Sequence, residues 1–291
     1  MGPEGKSRAA GPPRASERAY WNRATWRWER FEPQLMYALA SVDPALFRAL
    51  RLRPGLRILD VGCGSGEPAL TIARMVAPRG SVLGIDLSPH MLTIARRRAR
   101  DHRVGNARFR AGDIGRVRLP APRFHGVVSR FGLMFVDDVE AALASIRRAL
   151  RPGGRVAFAV WASLERNPLS RLSAEASRPF LKAPPPDPER VPHPLRFGRA
   201  GVLARLMRAA GFGRVTAVEV PAPHVFGSVA DFLAMNLDFP NPLRDLYLSL
   251  SRRDQHRFRD RLGRAIRPYQ AGPVVRIPAW AWVVSGRRTI S

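Results

Sequence analysis

Three aspartates in the first half of the chain each follow an apolar run that is typical of a buried strand. Asp60 closes the run RILD, Asp86 closes SVLGID, and Asp113 comes two residues after ARFRA. Open α/β sheets bind ligands at the carboxyl ends of their parallel strands, so we expect the three carboxylates to share one site. Taken singly, each acid could equally serve as a helix cap or a turn residue.

A glycine-rich turn follows Asp60, with glycines at the alternate positions Gly62, Gly64 and Gly66. Such a turn allows positive φ angles and lets a ligand lie directly against the backbone. The dinucleotide-binding pattern GxGxxG spaces its last glycine differently, and an acid ahead of the turn would repel a pyrophosphate. The acid suits a cationic amino group instead, which favours the amino-acid end of S-adenosylmethionine over NAD.

The two later acids suit the nucleoside part of such a ligand. Asp86 stands at the tip of the second strand, where an acid can accept hydrogen bonds from both ribose hydroxyls. Asp113 can accept a hydrogen bond from the adenine amino group, and Ile114 can pack on the adenine ring. A helix start is predicted just after Asp86, at Ser88 and Pro89.

Alternating strands and helices position these residues. The pattern predicts strands at 57–62, 81–86, 107–111, 125–130 and 154–161, and helices at 67–77, 89–102 and 137–150. This alternation implies βαβ units and a parallel sheet that is covered on both faces. We expect little helix between the third and fourth strands. Further along, the pattern predicts helices near 168–181 and at 198–210, and strands at 214–220 and 277–284.

Four stretches carry a resemblance to a known family: LDVGCGSGEPAL, GIDLSPHML, FRAGDI and SRFGLMFVDDVEAALASIRRALRPGGRVAFAVW. The chain resembles the class I S-adenosylmethionine-dependent methyltransferases, most of all their ubiquinone/menaquinone-biosynthesis-type and small-molecule natural-product branch. The likeness is strong over 55–162 and loose over 198–220 and 277–286. It implies an α/β fold, a Rossmann-like seven-stranded mostly parallel sheet with the last strand antiparallel, plus helical cap insertions.

The resemblance also implies a set of residues that bind S-adenosylmethionine. Asp60, Gly62, Cys63, Gly64 and Gly66 would line the methionine end, Asp86 would hold the ribose, Leu87 and Met91 would flank the adenine, Asp113 and Ile114 would also meet the adenine, and Ser129 and Phe131 would sit beside the sulfonium. No catalytic residue is predicted, and the sequence has no cluster typical of a metal site.

We divide the chain into seven segments on composition and pattern. They are a disordered tail (1–18), an aromatic helical segment that could form a lid (19–54), a cofactor-binding core (55–162), a helical insert (163–197), a continuation of the core (198–223), a second helical insert that could cap the substrate (224–273), and a final core strand (274–291).

Composition limits the possible settings of the protein. No apolar run is long enough to span a bilayer, and the polar N-terminus is unlike a secretory signal. With the single cysteine Cys63 there is no internal disulfide, so we predict a cytoplasmic protein. The net charge of +26 would suit nucleic acid, but all except two of the 49 basic residues are arginines scattered over the chain. We favour GC-rich coding as the explanation of that pattern over binding to nucleic acid, which stays open as an alternative.

The methyl acceptor is predicted mainly by exclusion. The segment Ser129–Gly132 lacks the Asn/Asp-Pro-Pro motif of DNA amino-methyltransferases, and no second cysteine is present for carbon methylation of RNA cytosine. The apolar inserts favour methyl transfer to O, N or C of a hydrophobic or aromatic small molecule. His193 and His224 are candidate bases, although for each of them we favour a plain loop residue. An RNA methyltransferase and a non-catalytic cofactor-binding protein stay open as alternatives, and the oligomeric state is not predicted.

Overall fold

A computed structural model describes residues 14–119, 122–184, 187–238 and 242–289, without the side chains of 14–18, 20, 23–27 and 242. The helices are α1 (Arg14–Ala40), α2 (Asp43–Leu50), α3 (Ala69–Val76), α4 (Pro89–Asp101), α5 (Val139–Ala149), α6 (Pro168–Ser177), α7 (Val202–Ala209), α8 (Val229–Asp238), α9 (Pro242–Ser249) and α10 (Arg252–Ile266). The strands are β1 (Arg57–Val61), β2 (Ser81–Asp86), β3 (Ala107–Ala111), β4 (Phe124–Arg130), β5 (Leu150–Trp161), β6 (Phe212–Pro221), β7 (His224–Phe226), β8 (Gln270–Ala271), β9 (Val274–Ile277) and β10 (Trp280–Arg288).

A seven-stranded sheet forms the centre of the fold, in the order β3-β2-β1-β4-β5-β10-β6. Strands β1 to β5 pair in parallel, and β10 runs antiparallel to both of its neighbours, β5 and β6. Nearly every residue of β1 and β4 is buried, as expected for strands that are covered on both faces. The predicted mostly parallel, Rossmann-like sheet with its last strand antiparallel is therefore confirmed.

Helices cover this sheet and bring the functional turns to one edge. α3 packs against β2, α4 against β3, α2 against β4, β5 and β10, and α7 against β6 and β10. Ser88 caps α4 by accepting a hydrogen bond from the Met91 N–H at 3.2 Å, and Pro89 is its first residue. Between β3 and β4 the described residues form only turns, as predicted.

A second hydrophobic core lies outside the sheet. It joins Phe31 of α1 to side chains from α6, α8, α10, β7 and β9, including Leu172, Phe232, Phe258 and Val275. We call α6, α8, α9, α10 and the small sheet β7-β9-β8 the cap unit. Because α1 shares the core of the cap unit, the N-terminal helix and both inserts pack together.

Several predicted boundaries are wrong. The segment 274–291 is not one core strand, since Ile277 pairs with His224 in the small sheet and β10 begins only at Trp280. Pro278 stands at the break, where its missing N–H cannot join a ladder. The second insert is consequently not purely helical.

The remaining differences concern element ends. Residues 14–18, expected to be disordered, belong to α1, and residues 1–13 lie outside the described part of the chain. β5 begins at Leu150, four residues before the predicted start. α7 begins at Val202 because Gly201 adopts φ +81° just ahead of it. No helix among the described residues is long and apolar enough to cross a membrane.

Candidate functional site

A cavity of about 390 Å³ opens at the carboxyl ends of the parallel strands. Its size lies within the usual range for small-molecule sites. Most of the predicted site residues line it, namely Gly62, Cys63, Gly64, Asp86, Leu87, Met91, Asp113, Ile114 and Phe131. Asp60, Gly66 and Ser129 are not among the lining residues. The structure therefore brings most of the predicted site together around one space.

The glycine turn after β1 is shaped by two close approaches. The N–H groups of Gly62 and Cys63 both donate to the Ile85 carbonyl, at 2.8 and 3.2 Å. Gly62 has φ +72°, and a Cβ at this position would lie 2.9 Å from the Cα of Gly132 in the turn after β4. Only glycine fits here, because a side chain would push the two turns apart.

Asp86 ties this turn to the tip of β2. Its carboxylate accepts the Gly64 N–H and the Ser88 N–H, each at 2.8 Å. Burial raises the pKa of Asp86 above its ordinary value, and the hydrogen bonds from Ser88, Gly64 and Leu87 oppose that rise. A carboxylate can accept about four hydrogen bonds. Asp86 is thus fixed in place with acceptor capacity left for a ligand.

Asp60 is fully buried directly behind the turn. Neither of its carboxylate oxygens has a hydrogen-bond partner among the described residues. Burial raises its pKa to about 8, the nearby Arg130 lowers it, and the carboxyl groups of Asp86, Asp43 and Glu67 raise it further. An unpaired buried acid is costly, so this arrangement suits a cationic ligand that supplies the missing partner.

Two of the predicted cofactor contacts support the turn from behind. Ser129, which was expected beside the sulfonium, is fully buried, and its hydroxyl donates to the Val61 carbonyl at 2.7 Å. This bond joins the ends of β4 and β1. Gly66 packs against α3 and α4, where a Cβ would lie 3.1 Å from a Leu70 methyl and 3.3 Å from Ala95. Among the described residues both act as supports, which corrects their expected place at the cavity wall.

Cys63 lines the cavity as a small packing residue. Its side chain is buried, and a Cβ at the neighbouring Gly84 would lie 2.7 Å from its Sγ. Burial raises the pKa of the Cys63 thiol well above its ordinary value, and the acids Asp86 and Asp60 add to that rise. A thiol held in its neutral form is a poor nucleophile.

The side of the cavity near α4 is apolar with one acid. Leu87, Met91 and Ile114 line it together with Asp113. The Asp113 Oδ1 accepts the Gly115 N–H at 2.9 Å, so this carboxylate also shapes its own turn. A flat heteroaromatic ring with an exocyclic amino group would match such a surface.

Arg130 is a charged residue of the cavity wall that the sequence did not single out. It follows Ser129 at the end of β4, lines the cavity and is only 8 % exposed. Its guanidinium donates to Asp43 Oδ2 at 3.0 Å and to the Glu67 carbonyl oxygen at 2.9 Å. Its position at the end of a strand is the one sequence feature that could have indicated a place in the cavity wall. Its partner Asp43 lies far away in sequence and could not be inferred.

Helix α1 closes one side of the cavity through Trp21 and Trp28. The Trp28 indole N–H donates to the Ser65 hydroxyl at 3.2 Å, and that hydroxyl donates to Glu32 at 3.1 Å. Glu32 also forms an ion pair with Arg98 of α4. Helix α1 is therefore tied directly to the glycine turn. The side chains of Tyr20 and Trp26, two further aromatic residues of α1, lie outside the described part.

The opposite part of the cavity has an aromatic wall. Phe131, in the left-handed region with φ +55°, stacks on Trp161 with ring centroids 4.3 Å apart. Trp161 in turn meets the His224 ring at 5.3 Å. Trp161 was missed by sequence reasoning, although it ends β5 at the same edge of the sheet. Of the two candidate bases, only His224 lines the cavity, and the His193 Nδ1 accepts the Leu195 N–H at 3.0 Å.

The strand order, the glycine turn and the acids at the strand ends define the class of the protein as a Rossmann-like methyltransferase. A family profile described as a methyltransferase domain matches residues 58–154. The chain is 32% identical over 198 residues to nocamycin O-methyltransferase from Saccharothrix syringae, a match that covers 64% of this chain and 67% of that one. The chain belongs to the S-adenosylmethionine-dependent methyltransferases.

Two further comparisons concern the sequence of the core and the fold. Over 106 residues the chain is 38% identical to the ubiquinone/menaquinone biosynthesis C-methyltransferase UbiE from Pseudomonas putida, covering 36% of this chain and 41% of that one. The structure of the YcgJ protein from Bacillus subtilis superposes with a TM-score of 0.57 at 18% identity, covering 87% of this chain and 99% of that one. This last likeness concerns the fold alone.

Proposed function

We propose that the protein transfers the methyl group of S-adenosylmethionine to an apolar small molecule inside the cavity. One observation carries the proposal: the glycine turn with its acids and the aromatic wall of Phe131 and Trp161 border the same space. S-adenosylmethionine, when bound, supplies a methyl group that is activated on a sulfonium. The task of the chain is then to hold donor and acceptor in line and to exclude water.

The fit of the cofactor rests on the charges of the site. The carboxyl groups of Asp43, Glu67 and Asp86 act on the buried Asp60, and the guanidinium of Arg130 opposes them. The raised pKa of Asp60 keeps that carboxyl protonated until a cation is bound. This excess of negative charge suits a ligand that carries a sulfonium and an ammonium group. The same excess would repel a phosphate backbone, so the charges favour a small molecule over RNA as the acceptor.

We propose that Asp86 receives the ribose hydroxyls and that the turn from Gly62 to Gly64 receives the methionine part. Asp60 would balance the ammonium charge from behind. Leu87, Met91 and Ile114 would enclose the adenine, with Asp113 beside them. Helix α1 would serve as the lid, and the cap unit would enclose the acceptor. The cytoplasmic location stays a prediction.

The experiment is calorimetric titration of the protein with S-adenosylhomocysteine, the demethylated product. Asp86→Asn keeps one carbonyl oxygen for the turn but removes the charged acceptor. Hydrogen bonds to charged groups contribute about 1.5–3 kcal/mol, so the dissociation constant should rise roughly tenfold to a hundredfold. Asp101→Asn, at the exposed end of α4, is the matched control and should bind normally. Absence of binding heat with the unmodified protein would overturn the proposal.

A further inference from the structure

His224 is a polar side chain of the cavity wall that makes no side-chain hydrogen bond among the described residues. Neither of its ring nitrogens has a hydrogen-bond partner there, although the ring lines the cavity. By contrast, the Asn167 amide, which also lines the cavity, donates to the carbonyls of Ala162, Ser163 and Trp280 and accepts the Trp280 N–H. Asn167 is occupied with holding the backbone, whereas His224 is available to a ligand.

The ring of His224 is held in place from several sides. Its backbone begins β7 and pairs with Ile277 of β9, so a sheet rather than a free loop carries it. Its ring neighbours those of Trp161, at 5.3 Å, and Phe226, at 6.5 Å. A side chain held by a strand and two aromatic rings keeps a fixed orientation, as proton transfer requires.

The position of His224 relative to the methyl donor follows from the aromatic wall. Phe131 adjoins Gly132, whose Cα is packed against Gly62 of the glycine turn. Trp161 stacks on Phe131, and His224 follows Trp161. An acceptor lying along this wall would have the glycine turn at one end and the imidazole at the other.

We propose that His224 is the general base of the reaction and that the acceptor is an acidic hydroxyl, a phenol or an enol, which is methylated on oxygen. This inference rests on the methyl-transfer function proposed above. A lone pair of the acceptor oxygen forms the new bond to the methyl carbon, and the electron pair of the breaking S–CH₃ bond stays on sulfur. The hydroxyl proton moves to a ring nitrogen of His224 and later leaves to solvent, so atoms and charge balance.

The protonation state of His224 agrees with this role. Burial alone lowers the pKa of His224 to about 4, and no charged side chain contributes to that shift. The charged residues that line the same cavity are Glu67, Asp86, Asp113, Arg130 and Asp137. The imidazole is therefore neutral and ready to accept a proton at neutral pH, but it is a weak base. A weak base is matched by an acidic hydroxyl and not by an aliphatic alcohol.

The first test uses acceptors that share one ring system, namely naphthol, naphthylamine and naphthalenethiol, within a wider panel of phenols and enolisable diketones. Turnover is followed as S-adenosylhomocysteine release and by product mass. We expect hydroxyl compounds to be methylated and His224→Ala and His224→Asn to lower kcat by roughly 10²–10⁴ with little change in KM. His256→Ala, on the exposed surface of α10, is the matched control and should leave the rate unchanged.

The pH profile separates a base from a mere wall residue. With naphthol, the His224→Ala rate should rise with pH as the acceptor ionises in solution, while the rate of the unmodified protein stays level. With an acceptor that is already ionised at the assay pH, the two proteins should turn over alike. If His224→Ala lowered the methylation rate by the same factor at every pH and also with ionised acceptors, the role of His224 would be structural and the proposal would be overturned.

A measurement without turnover completes the test. In protein with labelled histidine nitrogens, the signal that is missing from His224→Ala should report a neutral imidazole at neutral pH, and it should shift when naphthol but not naphthalene is added to the S-adenosylhomocysteine complex. Two results would overturn this proposal alone, provided that the protein binds S-adenosylhomocysteine. The first is methylation of the amine or the thiol but of no hydroxyl compound, and the second is methylation of no compound in the panel. Protein that fails to bind S-adenosylhomocysteine overturns the proposed function instead.

Discussion

Replacing Asp60 by asparagine should make the protein more resistant to high pH. The change keeps the shape of the side chain and removes a carboxyl group whose two oxygens have no partner among the described residues. Burial raises the pKa of Asp60 from 3.8 to about 8 in the folded protein. The folded state therefore holds the Asp60 proton more strongly than the unfolded state does. The stability that this proton contributes is complete below about pH 4 and is lost as pH rises towards 8.

The size of the effect follows from proton linkage. Between the two pKa values, each pH unit lowers the free energy of unfolding by about 1.4 kcal/mol through this one group. From pH 5 to pH 7 the unmodified protein should therefore lose about 3 kcal/mol relative to Asp60→Asn. The amide adds an unpaired donor, which gives an offset that does not depend on pH. The pKa of Asp60 is therefore read from how the difference in free energy of unfolding between the two proteins changes with pH, and not from its constant part.

The assay is urea unfolding at constant ionic strength over a series of pH values for both proteins. Asp101→Asn, an exposed site, serves as the control and should differ from the unmodified protein by a constant. A difference between Asp60→Asn and the unmodified protein that is also constant with pH would mean that Asp60 ionises normally. The conclusion that Asp60 is protonated in the ligand-free protein and ionises when a cationic ligand binds would then be refuted.

Three further results are expected. The affinity for S-adenosylhomocysteine should rise with pH up to about 8, by at most about tenfold per unit, because an ammonium group beside Asp60 favours its ionised form and releases the proton; affinity that is flat below pH 8 in calorimetry would contradict this. Gly62→Ala should lower the melting temperature and abolish binding, because its Cβ would lie 2.9 Å from the Gly132 Cα; Gly263→Ala in α10, where a Cβ meets no atom within 4 Å, should instead stabilise the protein by about 0.5–1 kcal/mol. Trp28→Phe should weaken S-adenosylhomocysteine binding about two- to tenfold through loss of the 3.2 Å bond to Ser65, and unchanged affinity would count against α1 as a lid.

The cofactor half of the cavity could be predicted because its signals are local in sequence. The glycine turn, the acid at the tip of β2 and the start of α4 all lie within a few residues of a strand end. Asp86 illustrates this: it accepts the Ser88 N–H two residues further on and the Gly64 N–H from the neighbouring strand end. In a parallel sheet, the end of one strand implies the position of the next.

The acceptor half could not be predicted in the same way because its contacts span the chain. Arg130 pairs with Asp43 of α2, and Trp161 meets His224 after three intervening elements, α6, α7 and β6. The spacing of apolar residues along a sequence does not show which distant side chain completes a buried ion pair or an aromatic stack. Ser129 was misplaced for a related reason: it lies near the end of β4 as expected, but its side chain bonds to the Val61 carbonyl behind the cavity.

The break at Pro278 was the largest error in the fold. An apolar run continues through this position, and pattern alone joins it into one strand. The chain instead divides its two halves between different sheets, with Ile277 opposite His224 and Ala281 opposite Trp161. This division places the imidazole beside the aromatic wall.

The most direct measurement of the central claim is a crystal structure of the complex with S-adenosylhomocysteine. The account predicts that the ribose hydroxyls donate to the Asp86 carboxylate, that the homocysteine part lies on the turn from Gly62 to Gly64, and that the sulfur faces Phe131 and Trp161. A nucleoside bound away from Asp86, or a sulfur directed away from the aromatic wall, would contradict it.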